Sequence, residues 1–444
     1  MRERTHDIGV VGLGYVGLTL ATALADVGLK VVGIEKRAEI ADLIRSCKPH
    51  FQENGLEEIM CGVIGDGRLE VRQDFAPEDC CDVYIITVGT PLGEDGKARL
   101  DMIENAARQV AASMPDGALV GLRSTVKIGT SRNVVAPILA ASGKDFQIVM
   151  CPERTIEGRA MEELRHLPQI IGADDAATRE RAARLFSRLT ATVLPVSSLE
   201  TAEAIKLADN TYRDLQFAFA NEIARLCDAV GISAQEVIST GKLGYARTNI
   251  ALPGLVGGPC LEKDPHILRQ SAREHGIDLE ITAAARLVNE RQPAECAAFI
   301  CAELERRGAP DNAVAAVLGM AFKGVPETDD LRGSMALRVV EELKRLRPAL
   351  RLRLFDPVVS QDALAALGFD AEICESATAA LDGAHAALIT NNHPLFATLG
   401  FSAVTRNLQP QGFVYDFWNH YSDVGPSERG ISYFAVGSLR RAPR

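Results

Sequence analysis

The feature that most constrains this chain is a glycine-rich turn near its first residues. Residues 8–11 form an apolar run that predicts a strand, residues 12–17 read GLGYVG, and residues 18–27 predict a helix. Gly12, Gly14 and Gly17 allow the tight turn and the close approach of a pyrophosphate that a dinucleotide-binding βαβ unit requires. The alternative is a glycine turn that only packs a helix onto a strand.

An acidic residue, Glu35, directly follows the second predicted strand, which spans residues 30–34. In dinucleotide-binding units a carboxylate about 20 residues beyond the glycine turn accepts a hydrogen bond from the ribose 2′-hydroxyl. Because such a carboxylate would repel a 2′-phosphate, the sequence favours NAD over NADP. Lys36 and Arg37 follow directly and keep NADP open as the alternative.

Strand and helix patterns alternate at both ends of the chain, with a helical stretch between them. Apolar runs at 83–87, 118–120 and 147–150 predict further strands, which is typical of a doubly wound parallel sheet. Helical periodicity dominates from 199 to about 290, and strands return at 314–318, 351–355 and 386–390, with a helix at 335–346. We predict three domains, at residues 1–198, 199–309 and 310–444.

The composition is that of a globular protein, since 47% of the 444 residues are hydrophobic and 24% are charged. With 48 Lys and Arg against 59 Asp and Glu, the net charge of −11 offers no basic surface for nucleic acid or an anionic membrane. No apolar run approaches the roughly 20 residues of a membrane helix. The ten cysteines show no metal-binding spacing. We therefore expect a cytoplasmic protein that binds no nucleic acid, membrane or structural metal.

A second glycine-rich stretch, residues 253–264, reads PGLVGGPCLEKD. It presents Cys260 shortly before the charged residues Lys263 and Asp264. A thiolate near backbone N–H groups and a lysine is more acidic, and hence more available as a nucleophile. From the residues alone, a catalytic cysteine and a buried structural cysteine are equally good interpretations.

Six ordered segments resemble the UDP-glucose/GDP-mannose dehydrogenase family over nearly the whole chain. They read GVVGLGYVGL at the start, STVKIGT at 124–130, PERTIEG at 152–158, EAIKLADN at 203–210, GGPCLEKD at 257–264 and GMAFKGVPETDDLRGS at 319–334. The resemblance implies an α/β fold with an N-terminal Rossmann domain, a central helical dimerisation region and a C-terminal Rossmann-like domain that binds the sugar nucleotide. It also implies oxidation of the sugar C6 hydroxyl to a carboxylate by two successive hydride transfers to NAD.

The same resemblance assigns the chemistry to particular residues. Cys260 matches the family nucleophile, which forms a thiohemiacetal with the C6 aldehyde and then a thioester that water hydrolyses. Lys206 and Asn210 match the residues that hold the oxyanion, and their spacing of four puts both on one helix face. Other matches order water or act as a base: Asp264, Glu153 and Thr125.

Binding residues are assigned in the same way. Lys323 and Arg332 match cationic contacts to the diphosphate and sugar, while Asp329 and Asp330 are expected to organise that loop. The full set of expected cofactor contacts is Gly12, Gly14, Tyr15, Val16, Gly17, Glu35, Thr90, Thr125 and Glu157. The full set of expected substrate contacts is Arg154, Lys206, Asn210, Arg247, Asn249, Gly257, Lys323 and Arg332.

The identity of the sugar is indicated by Arg154, which follows Glu153 where relatives acting on UDP-glucose or GDP-mannose have phenylalanine. Arginine is typical there of relatives acting on UDP-N-acetylhexosamines. Arg247 and Asn249 resemble an Arg-x-Asn pattern of UDP-N-acetylmannosamine-oxidising relatives, in which the arginine reaches a neighbouring subunit. We expect UDP-N-acetyl-D-mannosamine as the substrate and a homodimer or higher homo-oligomer that supplies uronic acid for surface polysaccharide.

Three alternatives remain open at this point. The same reaction could act on UDP-glucose or UDP-N-acetylglucosamine, because one inverted hydroxyl changes a pocket by only a hydrogen bond or two. A two-electron hydroxyacid-type dehydrogenase shares the first domain and long helices, but it explains neither the GGPC loop nor a second α/β domain. A catalytically silent nucleotide-sugar-binding protein would keep the fold without turnover.

Overall fold

A computed structural model of the chain describes residues 5–76, 79–421 and 430–438. The described residues form two compact units. The first is drawn from Met1–Asn210 and Lys263–Asp278, and the second from Thr211–Glu262 and Leu279–Arg444. The chain therefore passes between the units three times, after residues 210, 262 and 278.

The first unit is built on an eight-stranded sheet. Its strands are β1 (His6–Val11), β2 (Val31–Ile34), β3 (Leu69–Arg72), β4 (Cys81–Ile86), β5 (Ala118–Leu122), β6 (Phe146–Met150), β7 (Gln169–Gly172) and β8 (Val193–Val196). The order is β3-β2-β1-β4-β5-β6-β7-β8, and neighbours run parallel except β6 and β7. Along the central strands, successive side chains enter opposite apolar layers, so Val10 and Val11 belong to different cores. Burial on both faces explains the continuous apolar runs in the sequence.

The second unit contains a six-stranded sheet in which all neighbours are parallel. Its strands are β9 (Val314–Leu318), β10 (Arg351–Phe355), β11 (Ala371–Ile373), β12 (Ala386–Ile389), β13 (Phe413–Asp416) and β14 (Ser432–Ala435). The order β11-β10-β9-β12-β13-β14 repeats the arrangement of the first six strands of the larger sheet. Two apolar layers again cover the two faces. The expected α/β fold with two Rossmann-like sheets is confirmed.

Helices cover both sheets and form the region between them along the chain. They are α1 (Tyr15–Asp26), α2 (Ala38–Arg45), α3 (Leu56–Gly65), α4 (Asp101–Ser113), α5 (Ala136–Ala140), α6 (Ala160–His166), α7 (Ala176–Phe186), α8 (Leu199–Val230), α9 (Ala234–Lys242), α10 (Asp264–Glu274), α11 (Glu280–Arg306), α12 (Met335–Leu346), α13 (Gln361–Ala365), α14 (Ala377–Leu381), α15 (Pro394–Leu399) and α16 (Phe401–Arg406), with a π-helical turn at Ser131–Val135. No strand interrupts residues 199–290, as the periodicity predicted. No helix in the described part of the chain combines the length and apolar character that a membrane crossing requires.

One predicted boundary is wrong at the glycine turn. The helix predicted at 18–27 begins at Tyr15 instead, because extended Gly14 serves as its N-cap. Gly17 therefore lies in the first helical turn, where a Cβ would stand 1.8 Å from the Gly12 carbonyl oxygen. The glycine thus permits the helix to start early and close to the strand.

Candidate active site

The glycine turn between β1 and α1 leaves open space at the N-terminus of α1. Gly12 has φ of +93°, in the left-handed region that favours glycine, and Gly17 is required by its closeness to Gly12. A Cβ at Gly14, by contrast, would meet no atom within 4 Å. Tyr15 and Val16 form the first residues of α1. The packing described for the chain does not require the glycine at position 14, whereas a ligand at the helix terminus would.

Glu35 follows β2 and is only 6% exposed. Its carboxylate accepts hydrogen bonds from the Leu13 N–H at 3.2 Å and from Arg37 Nε at 2.8 Å. Burial raises the pKa of Glu35, but the hydrogen bonds and charge of Arg37, aided by the Leu13 N–H, outweigh it and hold the pKa below its usual value. Arg37, which sequence analysis offered as a possible phosphate partner, is therefore engaged by Glu35.

No local sequence pattern points to Glu53, which links the glycine turn to the segment 152–158. The Tyr15 hydroxyl donates to the Glu53 carboxylate. The Gly158 N–H donates to Glu53 at 2.7 Å and to the Tyr15 oxygen at 3.1 Å, while Asn54 donates to the Gly158 carbonyl at 2.9 Å. Burial, and then Glu53, raises the pKa of Tyr15 well above its usual range. The half-buried Glu157 lies beside this junction in sequence.

Helix α8 brings Lys206 and Asn210 to two acidic partners within the first unit. Lys206 Nζ lies 3.9 Å from Glu153 Oε2, and both residues are buried. Asn210 Nδ2 donates to Asp264 Oδ2 at 2.6 Å. Asp264, which is fully buried at the start of α10, also accepts a hydrogen bond from Lys263 Nζ at 2.6 Å. Four of the predicted catalytic residues therefore occur as two contacting pairs.

A second missed carboxylate, Glu203, fixes α8 against the segment 124–131. It is 1% exposed and accepts hydrogen bonds from the Gly129 N–H at 2.5 Å and the Ser131 N–H at 2.8 Å. Burial raises its pKa, although these N–H groups act in the opposite direction. The same segment carries Thr125, whose carbonyl accepts from Thr90 Oγ1 at 2.5 Å. Glu203 thus holds one turn of α8, just before Lys206, to the segment that carries Thr125.

Arg154 and Lys127, from the segments 152–158 and 124–130, also have acidic partners in the first unit. Arg154 Nη2 lies 3.3 Å from Asp209 Oδ2, on the turn of α8 between Lys206 and Asn210. Lys127 donates to Glu274 of α10 at 2.7 Å. The α10 helix is therefore held at Glu274 by the segment that also carries Thr125.

In the second unit, the cysteine loop, residues 253–261, packs on the segment 319–334. The Gly258 N–H donates to the Gly333 carbonyl at 2.8 Å. A Cβ at Gly257 would stand 2.1 Å from the Gly333 oxygen, and one at Gly258 would stand 2.4 Å from the Phe322 ring. Cys260 is exposed, whereas the other nine of the ten cysteines are buried or half-buried. The glycines therefore permit close packing while the loop leaves its cysteine accessible within this unit.

The segment 319–334 also carries the two cations predicted to bind substrate. Lys323 Nζ lies 5.2 Å from the centre of the Phe322 ring. Arg332 is exposed and pairs with Asp330 at 2.6 Å, so Asp330 does organise this loop. Because Gly333 contacts the cysteine loop, these cations and Cys260 lie on adjoining segments of one unit.

Arg247 and Asn249 lie in an exposed stretch that follows α9. The Arg247 guanidinium stacks 5.2 Å from the ring centre of Tyr245, which is itself exposed. The Asn249 carbonyl accepts from Gln216 of α8 at 3.0 Å.

Comparison with known proteins identifies the family. Three sequence profiles of the UDP-glucose/GDP-mannose dehydrogenase family match in order: the NAD binding domain at residues 6–190, the central domain at 200–291 and the UDP binding domain at 316–423. The chain belongs to the UDP-glucose/GDP-mannose dehydrogenase family. A hydroxyacid-type dehydrogenase would not explain the matches to the central and UDP binding domains.

Members of this family with similar sequences include two enzymes named UDP-N-acetyl-D-mannosamine dehydrogenase. The one from Pyrococcus horikoshii is 33% identical over 410 residues, covering 90% of this chain and 93% of the relative. The one from Campylobacter jejuni is 34% identical over 370 residues, covering 80% and 88%. A solved structure of UDP-D-ManNAc dehydrogenase from Pyrococcus horikoshii matches with a TM-score of 0.86 and 31% identity, covering 97% of this chain and 99% of that one.

As a member of the UDP-glucose/GDP-mannose dehydrogenase family, the chain is an NAD-dependent nucleotide-sugar dehydrogenase. The described residues fit the cofactor. Gly14 leaves the N-terminus of α1 open, and Glu35 is held at the end of β2, where a carboxylate meets a ribose. The described residues contain no group of three His, Cys, Asp or Glu side chains arranged to hold a metal ion.

Proposed function

We propose that the chain oxidises the C6 hydroxyl of UDP-N-acetyl-D-mannosamine to the carboxylate in two NAD-dependent steps. Relatives that carry this activity in their names support the substrate. Arg154 after Glu153 supports an N-acetylated sugar, because it replaces the phenylalanine expected for UDP-glucose or GDP-mannose. UDP-glucose and UDP-N-acetylglucosamine are the competing substrates of the same reaction.

The single observation that carries the four-electron mechanism is the exposed Cys260 on a glycine-rich loop. Its thiol adds to the C6 aldehyde left by the first oxidation, forming the C–S bond of a thiohemiacetal. Bound NAD supplies the hydride acceptor in each oxidation. Loss of hydride from C6 and of the hydroxyl proton leaves a thioester on Cys260. Water then breaks the C–S bond, releasing the carboxylate and restoring the thiol.

Residues of the first unit supply the polar groups for this chemistry. Lys206 and Asn210 stabilise the developing oxyanion with a cation and an amide. Glu153, with Lys206 at 3.9 Å, serves as the base for thioester hydrolysis. Asp264 and Thr125 order the water. Their buried hydrogen-bond partners support rigid placement of these groups.

The remaining proposed roles are contacts to the cofactor and the substrate. The proposed NAD contacts are Gly12, Gly14, Tyr15, Val16, Gly17, Glu35, Thr90, Thr125 and Glu157. The proposed substrate contacts are Arg154, Lys206, Asn210, Arg247, Asn249, Gly257, Lys323 and Arg332. Domain boundaries at 198/199 and 309/310 remain our proposal.

We also propose a homodimer formed through the central helices. Three apolar side chains of α8 recur every seven residues on its exposed surface: Tyr212, Phe219 and Leu226 are 60%, 50% and 58% exposed. Residues seven apart lie on one helix face, so the three form a single apolar stripe. Arg247 lies in an exposed stretch suited to reach a partner subunit. In this proposal the enzyme acts in the cytoplasm, and its uronic acid product is used for surface polysaccharide.

The decisive experiment incubates the protein with NAD and UDP-N-acetylmannosamine, UDP-N-acetylglucosamine, UDP-glucose or GDP-mannose in turn. We expect two NADH per UDP-N-acetylmannosamine and a uronic acid by mass spectrometry. Cys260→Ser should stop after little more than the first oxidation, while the matched variant Cys61→Ser should keep two NADH per sugar. One NADH with a released aldehyde from the unaltered protein would rule out the thioester mechanism.

A further inference from the structure

Arg286 of α11 is the largest fully buried side chain in the described residues. Its Nη1 donates to Asp214 Oδ1 at 2.6 Å and to the carbonyl oxygen of Leu261 at 3.1 Å. Asp214 is fully buried on α8. Leu261 directly follows Cys260, so a buried guanidinium holds the end of the cysteine loop.

Two asparagines extend this contact to the start of the same loop. Asn289 Nδ2 donates to Asp214 Oδ1 at 2.9 Å, and Asn221 Nδ2 donates to Asn289 Oδ1 at 3.1 Å. Asn221 also pairs twice with Gly254, accepting from its N–H at 3.0 Å and donating to its carbonyl at 3.2 Å. One connected network, Asp214, Arg286, Asn289 and Asn221, therefore fixes both Gly254 and Leu261.

Stability alone does not account for this network. A buried ion pair is often no better for stability than well-packed apolar residues, because desolvation of both charges is costly. Within the described part of the chain, Arg286 Nη2 and Asp214 Oδ2 have no hydrogen-bond partner, so the pair is not fully satisfied. Burial accordingly raises the pKa of Asp214, although Arg286 and Asn289 oppose the shift. What the network does supply is hydrogen bonds to the backbone at both ends of the cysteine loop. Arg286 donates to the carbonyl of Leu261, and Asn221 bonds both the N–H and the carbonyl of Gly254.

We propose that Arg286, held by Asp214, Asn289 and Asn221, is a positioning residue that fixes the backbone around Cys260 for attack on the aldehyde. The inference rests on the proposed role of Cys260. Loss of the contact should impair thiohemiacetal formation more than the first oxidation, since only the former uses the sulfur. A thiol displaced by about 1 Å can lose about 100-fold in rate.

The test compares Arg286→Met, Arg286→Lys and the double variant Asp214→Asn/Arg286→Met, each assayed for NADH per sugar and for aldehyde trapped by hydroxylamine. The double variant removes both buried charges, which should restore folding where the single Met variant is destabilised. We expect it to yield closer to one NADH per sugar with trapped aldehyde, and to alter the rate at which iodoacetamide alkylates Cys260. Arg286→Lys, which keeps the cation, should recover part of the NADH yield.

Arg307→Met is the matched control. Arg307 is also a largely buried arginine, and it donates to the carbonyls of Gln411 and Gly412 at 2.7 and 3.0 Å, away from the cysteine loop. It should lose thermal stability but keep two NADH per sugar. The inference would be overturned if the double variant folds, yields two NADH per sugar, and reacts with iodoacetamide at Cys260 as fast as the unaltered protein does. If Cys260→Ser itself gave two NADH, the role of Cys260, and not the network alone, would be wrong.

Discussion

At the scale of single residues, Glu35 is a buried carboxylate with a structural role in the glycine turn and a proposed role in binding NAD. Its oxygens accept from Leu13, in the glycine turn, and from Arg37, at the start of the next helix. These donors leave lone pairs for a ribose hydroxyl, since an ionised carboxylate accepts about four hydrogen bonds. The ionised Glu35 carboxylate therefore stabilises the conformation of the glycine turn, and its remaining lone pairs are available for the proposed contact to NAD.

Glu35 should give the protein a specific dependence on pH. Its pKa in the folded state lies below the usual 4.5, so the ionised form stabilises the fold above that pH and the contribution disappears as pH falls through the folded pKa. We expect Glu35→Gln to lower the melting temperature at neutral pH, and the difference from the unaltered protein to shrink below pH 4.5. Differential scanning fluorimetry across this range measures it. Glu39→Gln, at an exposed site on α2, should change little throughout.

At the scale of elements, apolar patterns predicted the central strands and several helices well. The predicted helix at 335–346 and strand at 351–355 coincide with α12 and β10. The strand β8 was missed because it lies at the sheet edge, is mostly exposed and contains Pro195, so its pattern resembles a loop.

The same limit applies to the candidate site. Cys260, Lys206 and Asn210 could be predicted from the sequence because they lie in short segments with a characteristic residue pattern. Glu53 and Arg286 could not, because their importance comes from partners far away in the chain. Glu53 meets Gly158 across 105 residues, and Arg286 meets Asp214 across 72. Local patterns carry no information about such pairings.

The contact between the cysteine loop and the segment 319–334 gives a test at this scale. Gly257→Ala would bring a Cβ to 2.1 Å from the Gly333 carbonyl, so one backbone segment must move. We expect a loss of about 1–3 kcal/mol in stability and a fall in kcat measured by NADH production. Gly241→Ala on α9 meets no atom within 4 Å and should stabilise by about 0.5–1 kcal/mol. Equal effects of the two substitutions would contradict the packing argument.

At the scale of the whole molecule, the two sheets repeat one local arrangement. Thr87 donates to the carbonyl of Gly12 at 2.7 Å after β4, and Thr390 donates to that of Gly319 after β12. Gly12 and Gly319 have φ of +93° and +98°. Asp356, which follows β10, accepts from two N–H groups of the turn after β9, as Glu35 accepts from Leu13. The repeat indicates two nucleotide-binding sheets of the same design.

The proposed dimer is testable at this scale too. Leu226→Asp places a charge in the apolar stripe of α8, and desolvating it at an interface would be costly. We expect the unaltered protein to sediment as a dimer and the variant to sediment as a monomer with its circular dichroism retained. Arg213→Gln, at an exposed position on another side of the same helix, should stay dimeric. A monomeric unaltered protein would exclude the proposal.

The return of Lys263–Asp278 to the first unit has a consequence for synthesis. Although most of that unit is encoded by the first 210 residues, its last helix, α10, follows an excursion of 52 residues into the second unit. Residue 278 must therefore emerge from the ribosome before the whole of the first unit is available to fold. Asp264 belongs to that late segment, so a nascent chain can form the dinucleotide fold well before it contains all of the proposed catalytic residues.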